Sequence, residues 1–299
     1  MTALAIRPPI TVPRPPRLAW GLVAATAVAP ATWGTTYAVT TEWLPPDRPL
    51  LAATVRALPA GLLLVALGHR LPSGAWWWKA AVLGILNIGA FFALLFVAAY
   101  RLPGGVAAIL GAAQPLLVAL LALPLLGERL RTRTVLLGLT GIAGVGLIVL
   151  SSAARLDAAG IAAGLAGTAS MAAGVVLTKR WGRPVAVLPF TGWQLTAGGL
   201  VLLPLTLAVE GLPAGLTAGQ AGGFLYLATV NTALAYALWL RGIGLLPASQ
   251  LTFLGLLSPV VAAAVGWTLL GQALGPAQLL GAALALGTVV LAQRPPRTA

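Results

Sequence analysis

The feature that most restricts this chain is a succession of ten apolar segments, most of them long enough to cross a bilayer and nearly free of charge. They fall at about 18–39, 49–68, 76–100, 103–126, 134–150, 158–178, 185–209, 218–240, 247–270 and 276–292. A helix of ~20 residues rises ~30 Å, the thickness of the hydrocarbon core. Backbone groups at that depth have no water to bond, so each segment has to satisfy them itself, as a helix does. The expected fold class is all-α: a polytopic membrane protein with ten transmembrane helices.

Composition agrees. Only 8% of the 299 residues are charged, against ~25% in soluble domains. The net charge of +13 suggests nucleic acid at first sight, but the charges lie between the apolar runs and form no basic face, which excludes that partner. Without cysteine, thiolate chemistry is excluded too. Residues 1–17 read as a proline-rich disordered tail. The "AVA" at 27–29 resembles a signal-peptidase site, yet the apolar run continues to about Val39, so the first segment is expected to remain as a span. With the N-terminus inside, fourteen Lys and Arg residues fall on the inner side and three, Arg48, Arg101 and Arg155, on the outer. The positive-inside rule then places both termini in the cytoplasm. The composition, rich in Arg, Ala, Gly and Pro, fits a high-GC bacterial genome, hence an inner membrane.

The chain repeats itself. A shift of 144 residues lays Leu102-Pro103 on Leu246-Pro247, Leu110-Gly111 on Leu254-Gly255, Pro115 on Pro259 and Leu125-Leu126-Gly127 on Leu269-Leu270-Gly271; with Ala119 on Ala263, nine of the 26 positions from 102 to 127 are identical. Asn87 falls on Asn231 by the same shift. A shift of 138 lays Arg56 on Gln194, Gly61 on Gly199 and Trp33 on Met171. The expected domains are a tail at 1–17, a five-helix repeat at 18–150, a second at 157–292 and a tail at 293–299. Five is odd, so the second copy enters from the opposite side: an inverted repeat about a central cavity, an arrangement used by secondary transporters.

The stretch "LGAAQPLL" at 110–117 puts a glutamine and a proline inside an apolar run. Proline frees the carbonyl four residues back, here that of Gly111, and Gly255 stands in the same relation to Pro259. Paired bends are expected at Gly111/Pro115 and Gly255/Pro259, with Gln114 and Ser258 reaching a wet interior. Trp33 and Tyr37 share a helix face, as do Asn231 and Trp239. With Asn87, Tyr100, Tyr236, Gln250 and Phe253 they make the expected substrate-lining set, aromatic walls with amides for an amino and a carboxyl group. Arg56 is the one charge clearly inside a segment. It is expected to snorkel to the outer interface or to pair with polar groups of a neighbouring helix, with a substrate carboxylate as the alternative partner. No acid lies inside a segment, which disfavours direct proton coupling. Catalytic and metal motifs are missing: His69 stands alone, and five scattered acids do not make a magnesium site.

The stretches "TWGTTYAV" (32–39), "VRALPAGLLL" (55–64), Gln114-Pro115 running to "LLGERL" (125–130) and Ser258-Pro259 running to "LLGQAL" (269–274) resemble the drug/metabolite transporter superfamily. The resemblance is strongest to its EamA-type exporters and, within them, to bacterial amino acid exporters, including an aromatic amino acid exporter. It implies a basket of ten helices with spans five and ten peripheral, no cofactor, a small-molecule substrate and the lipid bilayer as partners, and a monomer as sufficient. The chain departs from the family where Glu128 is matched by Gln272. A drug or other metabolite carrier of the same fold, or a non-transporting membrane scaffold or receptor component, is the alternative reading.

Overall fold

The computed structural model describes residues 20–101, 104–149, 157–271 and 273–294, apart from the side chains of 37, 96, 99, 100 and 104–107. Among the described residues the regular structure is helical throughout. Nine helices are long and apolar enough to cross a membrane: Pro49–Gly68, Trp76–Leu95 (helical on to Arg101), Ala108–Leu126, Thr132–Val149, Ala158–Trp181, Val187–Val209, Ala218–Leu245, Ala248–Leu269 and Pro276–Gln293. These are spans two to ten. Span one is the crossing that Thr35 interrupts, Trp20–Gly34 followed by Thr36–Trp43. It runs four residues past the expected end and carries Glu42 in its last turn, exposed. The stop comes from Pro45: the residue before a proline is forced out of the helical region, and Leu44 is extended (φ −105°, ψ 159°).

The repeat extends to the defects in the helices. Span three contains a π-helical turn at Ile85–Gly89 and span eight another at Thr229–Leu234, their starts separated by the same 144 residues. Span four breaks at Ala113, between Ala112 and Gln114, and span nine tightens to a 3-10 turn at Leu254–Leu256. Each interruption lies just ahead of its proline. Gly127 (φ 68°) and Gly271 (φ 65°) follow spans four and nine in the left-handed conformation that glycine adopts without strain.

The two halves interlock. Span two packs along span seven, and span five along span ten. Small residues allow the approach: a Cβ on Gly199 would stand 2.7 Å from Leu58 Cβ, and one on Gly281 2.5 Å from the Gly144 carbonyl. Membrane helices gain little from excluding water, so close packing of this kind holds them together.

The core differs between the two faces of the molecule. On the face that carries the 69–75, 127–131 and 182–186 connections, hereafter the basic face, a single cluster joins side chains of span one and spans three to ten, among them Leu83, Ala122, Val176, Trp193, Ile243 and Leu251. A second cluster, with Ala53, Ile88, Phe92, Leu202 and Tyr236, runs along spans two, three, seven and eight, and toward the opposite face the described side chains form two smaller ones. Val39, Leu44, Leu51, Phe224 and Leu227 belong to spans one, two and eight with the chain between one and two; Leu94, Ala98, Leu110 and Ala163 belong to spans three, four and six. Among the described side chains the core is continuous at the basic face and split at the other, hereafter the divided face.

Candidate functional site

The π-helical turns bring the buried polar groups together. A π turn inserts an extra residue and leaves a carbonyl free of the helix ladder. In span eight the Asn231 carbonyl accepts Trp33 Nε1 (3.1 Å) and Arg56 Nη2 (3.4 Å). The Asn231 side chain is equally engaged: Oδ1 accepts Arg56 Nη2 (2.5 Å) and Thr36 Oγ1 (3.3 Å), and Nδ2 donates to the Thr32 carbonyl (2.6 Å). Arg56 Nε donates to Thr232 Oγ1 (2.8 Å). One asparagine of the second half thus holds spans one and two of the first.

The first half repeats the scheme in reverse. Asn87 Nδ2 donates to Gln194 Oε1 (2.8 Å) and Thr178 Oγ1 (3.4 Å), and Ser170 Oγ donates to the Leu86 carbonyl (2.9 Å). The Arg56–Asn231 and Gln194–Asn87 bonds are therefore counterparts under the two sequence shifts, one charged and one neutral.

Arg56 does not snorkel. It is 6% exposed, bound by span eight, with its guanidinium carbon 4.8 Å from the centre of the Phe92 ring. Snorkelling needs a clear path to the interface, and Asn231, Thr232 and Phe92 close round the head group instead; the expected pairing with a neighbouring helix is what the structure contains. Among the described residues no carboxylate pairs with it; the ion pair present there is Arg101 with Asp157, 3.3 Å at the divided face.

Aromatic rings continue from this knot. Trp33 lies 5.2 Å from Tyr236 and 5.2 Å from Trp239 between ring centres, and Tyr236 lies 6.4 Å edge-on from Phe92. Trp33 is half-buried while Tyr236 and Trp239 are buried. Trp239 Nε1 has no partner among the described residues. Gln114 stands apart from these rings. It opens the second part of span four, its Nε2 is buried without a partner among the described residues, and its Oε1 lies beside Gly255, 3.8 Å from where a Cβ would be. The interruptions of spans four and nine thus face each other.

Of the residues expected to line one site, Trp33, Asn231, Tyr236 and Trp239 come together and take in Arg56. Asn87 lies in the equivalent position of the other half. Gln114 meets the 3-10 turn of span nine, and Ser258 stands where spans one and nine cross, its carbonyl 2.6 Å from a Cβ built on Gly34. Phe253 is packed in the basic-face core. Gln250 lies near the start of span nine, where its carbonyl accepts Gln293 Nε2 (3.0 Å). The side chains of Tyr37 and Tyr100, and all of Gln272, lie outside the described residues. Phe92, Thr36 and Thr232 were not expected; the signal available was sequence nearness to the expected set, Thr36 three residues after Trp33, Thr232 beside Asn231 and Phe92 five after Asn87.

Two cavities lie elsewhere in the bundle. One of about 690 Å³ opens between the ends of spans two, three and seven at the divided face, lined in part by Arg48, Val97, Arg101 and Glu210. Glu210 is held there by the Leu50 and Leu51 amides (2.7 and 2.8 Å), which cap span two. A second, about 360 Å³ and mostly apolar, lies among spans four, five and ten. No group of three or more His, Asp or Glu side chains that could hold a metal occurs among the described residues.

Comparison with known proteins places the arrangement. The EamA-like transporter family matches residues 19–150 and, a second time, 158–293. Protein PecM of Dickeya dadantii (strain 3937) is 47% identical over 267 residues, covering 89% of this chain and 90% of that protein. The inner membrane transporter YedA of Escherichia coli (strain K12) is 31% identical over 270 residues, covering 87% and 85%. A solved crystal structure superposes with a TM-score of 0.77 at 21% identity over 92% of this chain and 99% of its own, a likeness of fold.

Proposed function

The chain belongs to the EamA-like transporter family, and from that premise we propose that it exports amino acids and related small metabolites across a bacterial inner membrane by alternating access. Both termini are cytoplasmic, one chain suffices, and no cofactor takes part. The observation that carries this reading is the repetition of the helix defects in the two halves, π turns in spans three and eight and interruptions ahead of the prolines of spans four and nine. Two inverted halves can exchange conformations, which would open the same interior first to one side and then to the other. Lys and Arg counting puts the basic face inside.

The amino acid reading is supported by the cluster of Trp33, Tyr236 and Trp239 beside a guanidinium and an amide. Aromatic walls with a few convergent polar groups suit a small amphipathic solute. All five acids stand at helix ends or in connections: Glu42, Asp47, Glu128, Asp157 and Glu210. A cationic drug would find no carboxylate partner between the ends of the spans.

Uptake of a labelled amino acid panel into liposomes holding the purified protein tests the reading. Saturable uptake of one or more amino acids, reduced by replacing Trp33 with Ala, is the expected result. A panel of amines or sugars moving in preference to amino acids would replace it.

A further inference from the structure

The repeat supplies an internal control for Arg56. The position equivalent to it holds Gln194, and the two bond to equivalent asparagines in opposite directions: Arg56 donates to Asn231 Oδ1 (2.5 Å), and Gln194 Oε1 accepts from Asn87 Nδ2 (2.8 Å). An amide therefore suffices to tie a span to its π-helical partner. The guanidinium adds a charge that this joint does not need. That charge is costly where it stands: it is buried between spans in the membrane interior, with no acid paired to it among the described residues. Asn231, Thr232 and the Phe92 face offset part of the cost. They use Nε and Nη2 and leave Nη1 without a partner among the described residues. Among the described residues three buried nitrogen donors lack an acceptor, Gln114 Nε2, Trp239 Nε1 and, in the other half, Gln194 Nε2. Trp239 packs on the Trp33 ring, whose indole donates to the same Asn231 carbonyl that Arg56 reaches.

We propose that Arg56 is the specificity-determining residue for an anionic group of the transported solute, a carboxylate being the chemistry that fits, with Asn231 holding the guanidinium in place. Nη1 offers the donor edge, and the Trp33–Tyr236–Trp239 cluster meets the apolar part of the same solute. The inference deepens the export reading and rests on it for the site, but not for the presence of an amino group in the solute.

Four matched probes separate the two: L-phenylalanine, hydrocinnamate (carboxylate without amine), phenethylamine (amine without carboxylate) and L-phenylalaninamide. Binding is read as thermal stabilisation of the detergent-solubilised protein, and labelled L-phenylalanine uptake is read in liposomes. Wild-type protein should bind the two carboxylates at least about tenfold more tightly than the other two, the scale of one hydrogen bond to a charged group. Arg56→Gln, which copies the other half, should fold and lose that preference. Arg56→Lys should retain it, with weaker binding. Hydrocinnamate bound and L-phenylalanine ignored would sustain the anion site and remove the amino acid reading. L-phenylalanine transported with the carboxylate preference intact in Arg56→Gln would do the reverse. Should Arg56→Gln fail to fold, the wild-type contrast still decides: phenethylamine or the amide bound as well as the carboxylates, or neither carboxylate bound, overturns the proposal.

Discussion

Gly174 leaves room for one side chain, that of Asn87. A Cβ built there collides with Asn87 Oδ1 and lies 2.6 Å from its Cγ. Gly174→Ala should push the amide off Gln194 and leave a buried polar group unmet, a loss of about 1–3 kcal/mol by either account. Its counterpart under the shift of 138 is Thr36, whose bond to Asn231 is long at 3.3 Å; Thr36→Ala should cost under about 1 kcal/mol. Thermal unfolding of the solubilised protein compares them, and equal losses would remove the asymmetry claimed for the two joints. At this scale the sequence was informative in pairs and misleading singly. Arg56 alone suggested a route to the interface, whereas Arg56 with Gln194 and Asn231 with Asn87 contain the joint. What joins them is the crossing of spans two and eight, which no spacing within one span encodes. The lining set was dispersed for a similar reason. Phe253 is as apolar as any core residue, and only packing decides that it belongs to the basic-face cluster.

The helical elements divide into defects that the chain announces and defects that it does not. Pro115 and Pro259 announce theirs: each lacks the amide that would close the ladder, and the breaks at Ala113 and Leu254–Leu256 lie in the turn before them. Pro115→Ala and Pro259→Ala should leave the protein folded and slow its transport, because a regular helix there resists the rearrangement of two facing interruptions. The initial uptake rate per folded protein decides; unchanged rates in both variants would reduce the breaks to packing. The π turns at Ile85–Gly89 and Thr229–Leu234 carry no such mark. One extra residue in a turn changes neither composition nor hydropathy, and "ILNIG" and "TVNTAL" read as ordinary helix. The repeated asparagine was the single trace of them. The ten spans themselves were legible because bilayer thickness fixes their length, and their ends moved by a few residues where a proline or a capping glycine intervened.

For the whole molecule, closure of the basic face depends on groups that the other half does not duplicate. Glu128, just past span four, accepts the Ala248 amide and Ser249 Oγ at 3.4 Å each, and Lys179 Nζ donates to the Leu246 and Ile243 carbonyls (2.5 and 3.3 Å). Both hold the short connection between spans eight and nine. Under the two shifts their counterparts are the uncharged Gln272 and Thr41, so Glu128→Gln and Lys179→Met should each loosen this face. In the cysteine-free chain, a cysteine replacing the buried Leu251 should react faster with a membrane-permeant maleimide once Glu128 is changed; an unaltered rate would deny the clamp. Coupling belongs to this scale as well. With every acid at a helix end or in a connection, transport in liposomes should follow the substrate gradient with no imposed proton gradient, and strict dependence on one would refute that. The interlocking of the halves also governs how the protein is made. Span five finds its glycine-lined partner in span ten, and span two its partner in span seven. During synthesis the first five helices therefore enter the bilayer with their matching surfaces vacant, and span five waits for the last helix to leave the ribosome. A chain stopped near residue 150 is an unfinished interface rather than a half-transporter, and its folding is completed only by its last helix.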